Sequence, residues 1–274
     1  METVREITCR SVLTDTGLPA DYAINCYVGC EHGCRYCYAR YMKRFTGHRE
    51  PWGTFVDVRT NAPEVLAREV RRKPPGSVIL SSVCDGWQPL EASYGVSGRC
   101  VEVLAEHGWH VSILTKSGLA RRALPMLEGR SADVGVSLTA FDDRQRKIIE
   151  PKASPTAERI ELLREAARRG IAVWAFLGPF LPLLTDSEGN LTALVAALAE
   201  LPLTHIYADR VNFRSGVASS LKEMAARHFP RIADEYRWLG SDSDADQAYA
   251  DQLRTRIARL AERYGLSAKL RMGF

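Results

Sequence analysis

The sequence predicts an α/β fold: a partial, open (β/α)6 barrel of the TIM type, followed by a C-terminal helical extension. Two observations carry this. Short β-rich apolar runs alternate with segments of helical period, the pattern of parallel strands joined by crossover helices. Most of these runs also carry too little polar alternation to face water on either side, as strands covered on both faces do. The chain has 274 residues, 46% of them hydrophobic and 26% charged, a balance that fits one large globular domain and excludes a disordered tail.

Six strands are read in order: Ala23–Val28, Ser77–Ser82, His110–Thr115, Asp133–Thr139, Ile171–Leu177 and Thr204–Ala208. A helical face of Ala62, Val65, Leu66 and Val70 covers the second, and Val101 with Leu104 covers the third. The clearest helix runs from Thr156 to Arg169, with Ile160, Leu163, Ala166 and Ala167 on one face and Gly170 as its stop. Gly240 to Gln247 is rich in Ser and Asp and reads as a loop before a last helix from Tyr249 to Tyr264. Nothing marks a domain boundary, so a single domain is expected over residues 1–274, with an N-terminal segment (1–21), the core barrel (22–214) and the helical extension (215–274).

Lys and Arg number 37 against 33 Asp and Glu, a net charge of +4, which tolerates a phosphate-bearing partner without requiring one. The longest apolar stretch, Ile171 to Leu184, is broken by Gly178, Pro179 and Pro182 and falls short of the roughly twenty residues that span a bilayer. The opening METVREITCR has no apolar core of the kind a secretory signal needs. A cytoplasmic monomer is expected.

Seven cysteines are present, four of them within residues 26–37, a crowding unlike a disulfide framework and consistent with a metal site in a reducing compartment. Cys30, Cys34 and Cys37 stand at spacings of four and three directly after the first strand. Three thiolates from one short loop can hold three irons of a [4Fe–4S] cube and leave the fourth without a protein ligand. Gly29 and Gly33 let the backbone turn around such a cube. A closed zinc site with His32 or Cys26 as fourth ligand is the alternative, in a non-catalytic metal-binding scaffold protein. Cys9, Cys26 and Cys100 lack the spacing for a second cube and read as core thiols.

The CxxxCxxC loop followed by Tyr38 resembles the signature of radical SAM enzymes. The longer string from Ile24 to Arg40 is similar to the spore photoproduct lyase-like branch, often labelled DNA repair photolyase-related. Ser82 to Glu91, Leu114 to Ser117, Ser137 to Thr139, Ile149 to Pro151 and Arg159 follow in family order, so the likeness covers about residues 22–214. The resemblance implies a partial (β/α)6 barrel of the radical SAM kind. It also implies a [4Fe–4S] cluster held by Cys30, Cys34 and Cys37, with S-adenosylmethionine (SAM) bound at the open iron. Reductive cleavage of SAM would then give a 5′-deoxyadenosyl radical that abstracts hydrogen from an organic substrate. An external flavodoxin- or ferredoxin-like electron donor is implied as well.

By the same resemblance Lys116 pairs with the SAM carboxylate, and Ser137 and Thr139 bond the ribose or amino-acid part. The bland readings are a solvated lysine and loop-capping hydroxyls. Tyr38 is placed beside the cluster, and Asp85 and Glu91 flank a loop carrying Trp87 and Gln88, residues able to stack on or bond a planar group or to stabilise their own turn. Cys84 is a departure, because the branch more often has Thr-Asp-Pro-Tyr where this chain has Cys84-Asp85-Gly86-Trp87. Spore photoproduct lyases use a cysteine near this loop as hydrogen-atom donor, and it aligns closer to Ser82. A cavity-facing Cys84 can quench a substrate radical or bind a second metal centre, and the alternative is a small buried thiol.

His48, Arg49 and Trp52 follow in a polar connection that can meet substrate, and Arg40, Lys43 and Arg44 form a basic edge that can meet phosphate; a solvated helix face explains them equally well. Asp209, Arg210, Asn212 and Arg214 follow the sixth strand at the barrel mouth, and Glu150 with Arg159 reads as a supporting pair. The substrate class stays open among a nucleic-acid lesion, a nucleoside-type metabolite, a peptide and other small metabolites. The modest charge, without a dense basic stripe interleaved with aromatics, disfavours nucleic acid.

Overall fold

Five of the six expected strands, and the first half of the other, lie side by side in one sheet of the computed structural model, which describes residues 3–213, 216–238 and 243–274. In chain order the strands are β1 (Thr3–Ile7), β2 (Leu13–Asp15), β3 (Tyr22–Ile24), β4 (Tyr27–Val28), β5 (Phe55–Arg59) and β6 (Ser77–Leu80), followed by β7 (His110–Thr115), β8 (Ala132–Leu138), β9 (Ala172–Phe180), β10 (Ile206–Arg210) and β11 (Leu270–Met272). The main sheet runs β2-β3-β6-β7-β8-β9-β10-β11. Every pairing in it is parallel except β2 with β3. With its crossover helices this is an open, partial barrel.

The two faces of the sheet differ. Val111, Ile113, Val134, Val136, Leu138, Val173, Ala175 and Leu177 are buried against helices Val96–Glu106 and Thr156–Arg168, because successive side chains alternate between faces. The alternate set lines the concave side and is more polar. Here Ser112 is the register partner of Asp133, and Gly135 the partner of Trp174. Gly135 is required at that point, since a Cβ there would lie 2.4 Å from the Trp174 indole.

Three features depart from the sequence expectation. The first strand, read as Ala23–Val28, is split: β3 belongs to the main sheet, whereas β4 pairs antiparallel with β5 in a separate three-stranded sheet, β1-β5-β4. No Gly or Pro marks this break, so periodicity runs straight through it; the switch is fixed by Arg59, which bonds the Asn25 and Cys26 carbonyls at 2.9 and 3.0 Å. The last helix begins at Ser243 rather than Tyr249, so residues 243–247 are helical, with Asp246 in the first turn where a carboxylate complements the helix dipole. Residues 239–242 of the expected loop lie outside the described residues. Finally, after helices Val217–His228, Ala233–Trp238 and Ser243–Arg263, the chain returns to the sheet as β11. Among the described residues no helix is long and apolar enough to cross a membrane.

Candidate cofactor-binding site

The cysteine loop leaves β4 through two glycines in the left-handed region, the first of which has no room for a side chain. Gly29 has φ +88°, and a Cβ on it would lie 2.4 Å from the Phe55 carbonyl oxygen. At Gly33 (φ +60°) the backbone abuts Gly53 so closely that a Cβ on Gly53 would meet the Gly33 Cα at 2.7 Å. Turn bonds from Gly33 N to the Cys30 carbonyl (3.3 Å) and from Cys37 N to the Cys34 carbonyl (3.2 Å) shape the loop before the 3-10 helix Tyr38–Phe45. Arg40 donates to the carbonyls of Cys34 and Arg35, both at 3.1 Å, and Lys43 to that of Arg49 at 2.8 Å. Two of the three basic residues of that edge thus brace the loop, and Arg44 stacks over Tyr41 and Phe45.

Cys30 and Cys34 are buried, Cys37 is half-buried, and all seven cysteines are free thiols. Burial pushes the Cys34 thiol up to about 12 in spite of the nearby Lys116, and burial with the Asp85 charge pushes Cys30 well above the ordinary thiol range. Three thiols so placed stay protonated until a metal displaces their protons. Among the described residues no group of three His, Cys, Asp or Glu side chains is already placed to hold a single metal ion. Three thiols from one short loop, two of them buried, are the donor set an iron–sulfur cube takes. His32 is fully buried inside the loop with Nδ1 3.4 Å from Asp85 Oδ2; among the described residues neither ring nitrogen makes a hydrogen bond, and burial pulls its pKa down to about 4.

The strand ends opposite carry the other expected residues. Asp85 is a brace: Oδ1 accepts from Trp87 N (2.9 Å) and Thr115 Oγ1 (2.8 Å), and Oδ2 from Lys116 N (2.8 Å). Lys116, held by that bond and by one from Ser154 N to its carbonyl (3.0 Å), places its ammonium 6.0 Å from the centre of the Tyr36 ring. Among the described residues this ammonium makes no hydrogen bond or salt bridge. Burial lowers its pKa, but Cys34, Glu150 and Asp85 outweigh that and raise it. Ser137 is buried near the end of β8, and Thr139 Oγ1 donates to the Gly178 carbonyl at 2.8 Å. Tyr38 is 49% exposed and its hydroxyl donates to the Ser82 carbonyl. Cys84 is half-buried with Sγ 3.6 Å from Asn25 Oδ1, and burial pushes it up to about 12.

Other residues of the sequence analysis are bonded within the protein, Asp209 and Arg210 at the C-terminal end of β10. Trp87 and Gln88 are buried; Gln88 Oε1 accepts from Glu31 N of the cysteine loop at 2.8 Å. Glu91 accepts from Tyr27 and from the amides of Ser97 and Gly98, at 3.1 and 2.9 Å, and so caps a helix. Cys26 and Cys100 lie buried together, 3.6 Å apart, and Cys9 bonds Asn61. Asp209 Oδ1 accepts from the Arg210 amide, and Arg214 lies outside the described residues.

Two contributors escaped the sequence analysis. Asn25 gathers the loop after β6, donating to Ser82 Oγ at 3.1 Å and accepting from Ser82 N and Val83 N at 3.0 and 3.1 Å; a lone amide ending an apolar run was its only signal. Tyr36 donates to Glu150 and lies 3.2 Å from Thr139 Oγ1. Glu150 in turn pairs with Arg159, which also bonds the Ser137 and Ser154 carbonyls at 2.8 and 2.9 Å. This buried network ties the cysteine loop to the strand ends beneath Lys116.

Comparison with known proteins decides the family. The family model described as the radical SAM superfamily matches residues 24–194. The chain belongs to the radical SAM superfamily. It is therefore an enzyme of the kind that uses a [4Fe–4S] cluster and SAM and draws on an electron donor and a substrate. This radical SAM chain is 30% identical to an uncharacterized Mycobacterium tuberculosis protein over 97% of its own length and 82% of the relative's. An uncharacterized Methanocaldococcus jannaschii protein is 31% identical over 67% of this chain and 70% of its own. In fold, a double mutant of spore photoproduct lyase with bound AdoMet and dinucleoside spore photoproduct matches 99% of this chain and 82% of its own, with TM-score 0.72 at 13% identity. Streptococcus suis SuiB bound to S-adenosylmethionine matches 78% of this chain and 47% of its own, with TM-score 0.51 at 12% identity.

Proposed function

We propose that this radical SAM protein cleaves SAM reductively and directs the resulting radical at a C–H bond of an organic substrate seated at the C-terminal ends of its strands. The observation that carries this is the uncommitted ammonium of Lys116, held at a strand end facing the buried three-cysteine loop. When bound, the cluster and SAM supply, after one-electron reduction, methionine and a 5′-deoxyadenosyl radical that takes hydrogen from the substrate. Cys30, Cys34 and Cys37 hold three irons, and the protons of these thiols leave as the metal binds. Lys116 pairs with the SAM carboxylate, Asp85 holds the Lys116 backbone in place, and Ser137 and Thr139 orient the ribose or amino-acid part. Tyr38, bonded to the Ser82 carbonyl, screens the site from water, and Cys84, beside Asn25, is available as a hydrogen-atom donor.

The substrate is read as a nucleoside-type metabolite, peptide or other small organic molecule. The charge of +4 and the use of Arg40 and Lys43 as internal braces argue against duplex DNA as the partner. The electron donor is read as flavodoxin- or ferredoxin-like, the protein as a cytoplasmic monomer of one domain. Anaerobic reconstitution tests the reading. Four irons and four sulfides per chain, with release of 5′-deoxyadenosine and methionine in equal amounts on reduction, are expected. One bound zinc and no 5′-deoxyadenosine would overturn it. Deuterium carried from a candidate substrate into 5′-deoxyadenosine identifies the substrate class.

A further inference from the structure

A segment between the cysteine loop and β5 is anchored far more firmly than a connection needs. His48 is buried, with Nε2 2.9 Å from Asp57 Oδ1 and Nδ1 3.1 Å from Glu50 Oε2. Its ring stacks on Phe55 at 4.1 Å, and Trp52 meets the same Phe55 edge-on at 5.9 Å. The Gly53–Gly33 contact fixes the segment to the cysteine loop itself. Trp52 is thereby held in an apolar cluster with Cys30, Ala39 and Phe55, against which Cys37 and Cys84 pack. Within this cluster the Trp52 Nε1 is buried without any hydrogen-bond partner of ordinary geometry among the described residues. A buried N–H left unpaired is destabilising. Cys37 packs against this same cluster, and its sulfur, once bound to a metal as thiolate, is an acceptor for the orphaned N–H.

We infer that Trp52 sets the reduction potential of the cluster by donating its indole N–H to the Cys37 sulfur, a role that rests on the cofactor reading above. Reduction adds negative charge that spreads onto the cysteine sulfurs, so a fixed N–H donor stabilises the reduced form more than the oxidised one and raises the potential. Trp52 is a positioning residue in this sense: it touches a ligand of the cluster and not the substrate. The His48 clamp, with carboxylates on both ring nitrogens, keeps the indole from swinging away.

Full-length protein, reconstituted without oxygen, is compared with Trp52→Phe, which keeps an aromatic ring and removes the donor. Potentiometric EPR titration is expected to give equal iron content, a more negative midpoint for the variant and shifted g-values of its reduced state. An unchanged midpoint at equal iron content overturns the inference. Where the variant holds no cluster, the unmutated site decides: with 15N in the tryptophan indoles, the reduced cluster is expected to couple to an indole nitrogen, and the coupling to persist in Trp87→Phe. Absence of that coupling overturns the inference. A native chain that takes up no iron overturns both the inference and the reading beneath it, and so tells the two failures apart.

Discussion

At the scale of single residues, charge placement decides what the site can hold. Among the described residues the Lys116 ammonium has no hydrogen-bond or salt-bridge partner, and a charge-assisted bond to a carboxylate contributes about 1.5–3 kcal/mol. Lys116→Met is accordingly expected to weaken SAM binding about 10- to 100-fold with iron content unchanged, measured by equilibrium binding to reconstituted protein. Glu150 is the opposite case, a carboxylate wholly committed to Arg159 and Tyr36. Burial works to raise its pKa, but Arg159 and Lys116 prevail and hold it at about 2. A carboxyl depressed in the folded state stabilises it fully above the unfolded value, about 4.3, and loses that contribution as pH falls towards 2. Urea unfolding is therefore expected to shift to lower midpoints between about pH 5 and pH 2. Glu150→Gln strands Arg159 without its counter-charge, costs about 3–5 kcal/mol, and flattens that pH dependence.

At the scale of elements, the cysteine loop depends on what is packed around it. Gly53→Ala combines a positive φ of +96° with a Cβ 2.7 Å from the Gly33 Cα, and strain of this kind costs about 1–3 kcal/mol. Gly47 also has a positive φ but faces open space, so Gly47→Ala should be the milder change. Unfolding of the two variants reads the contact by difference, and only Gly53→Ala is expected to lower iron uptake as well. The loop itself was legible in sequence because its signal is local: three thiols and two glycines within nine residues. The strap over it was not. His48 and Asp57 stand nine residues apart, but nothing in their spacing says that β5 turns Asp57 towards the loop. The split of the first strand was hidden likewise, since both halves are equally apolar.

At the scale of the whole molecule, the open barrel brings strand ends from distant parts of the chain to one mouth, and ligand binding there should stabilise all of it. SAM at about 100 times its dissociation constant contributes about 2.7 kcal/mol to a folded state that alone binds it. A rise in Tm of roughly 5 °C is expected for cluster-loaded protein, and none for protein stripped of iron, measured by scanning calorimetry. The sequence by itself determined the alternation of strand and helix, the order of the six strands and the three thiols, because periodicity and short spacing are properties of neighbouring residues. Only the tertiary structure decided which polar groups brace the site and which are left to a ligand. Asp85 meets the Lys116 amide across 31 residues and Tyr36 meets Glu150 across 114. Such pairings depend on where the folded chain returns in space, and no local pattern of side chains encodes that.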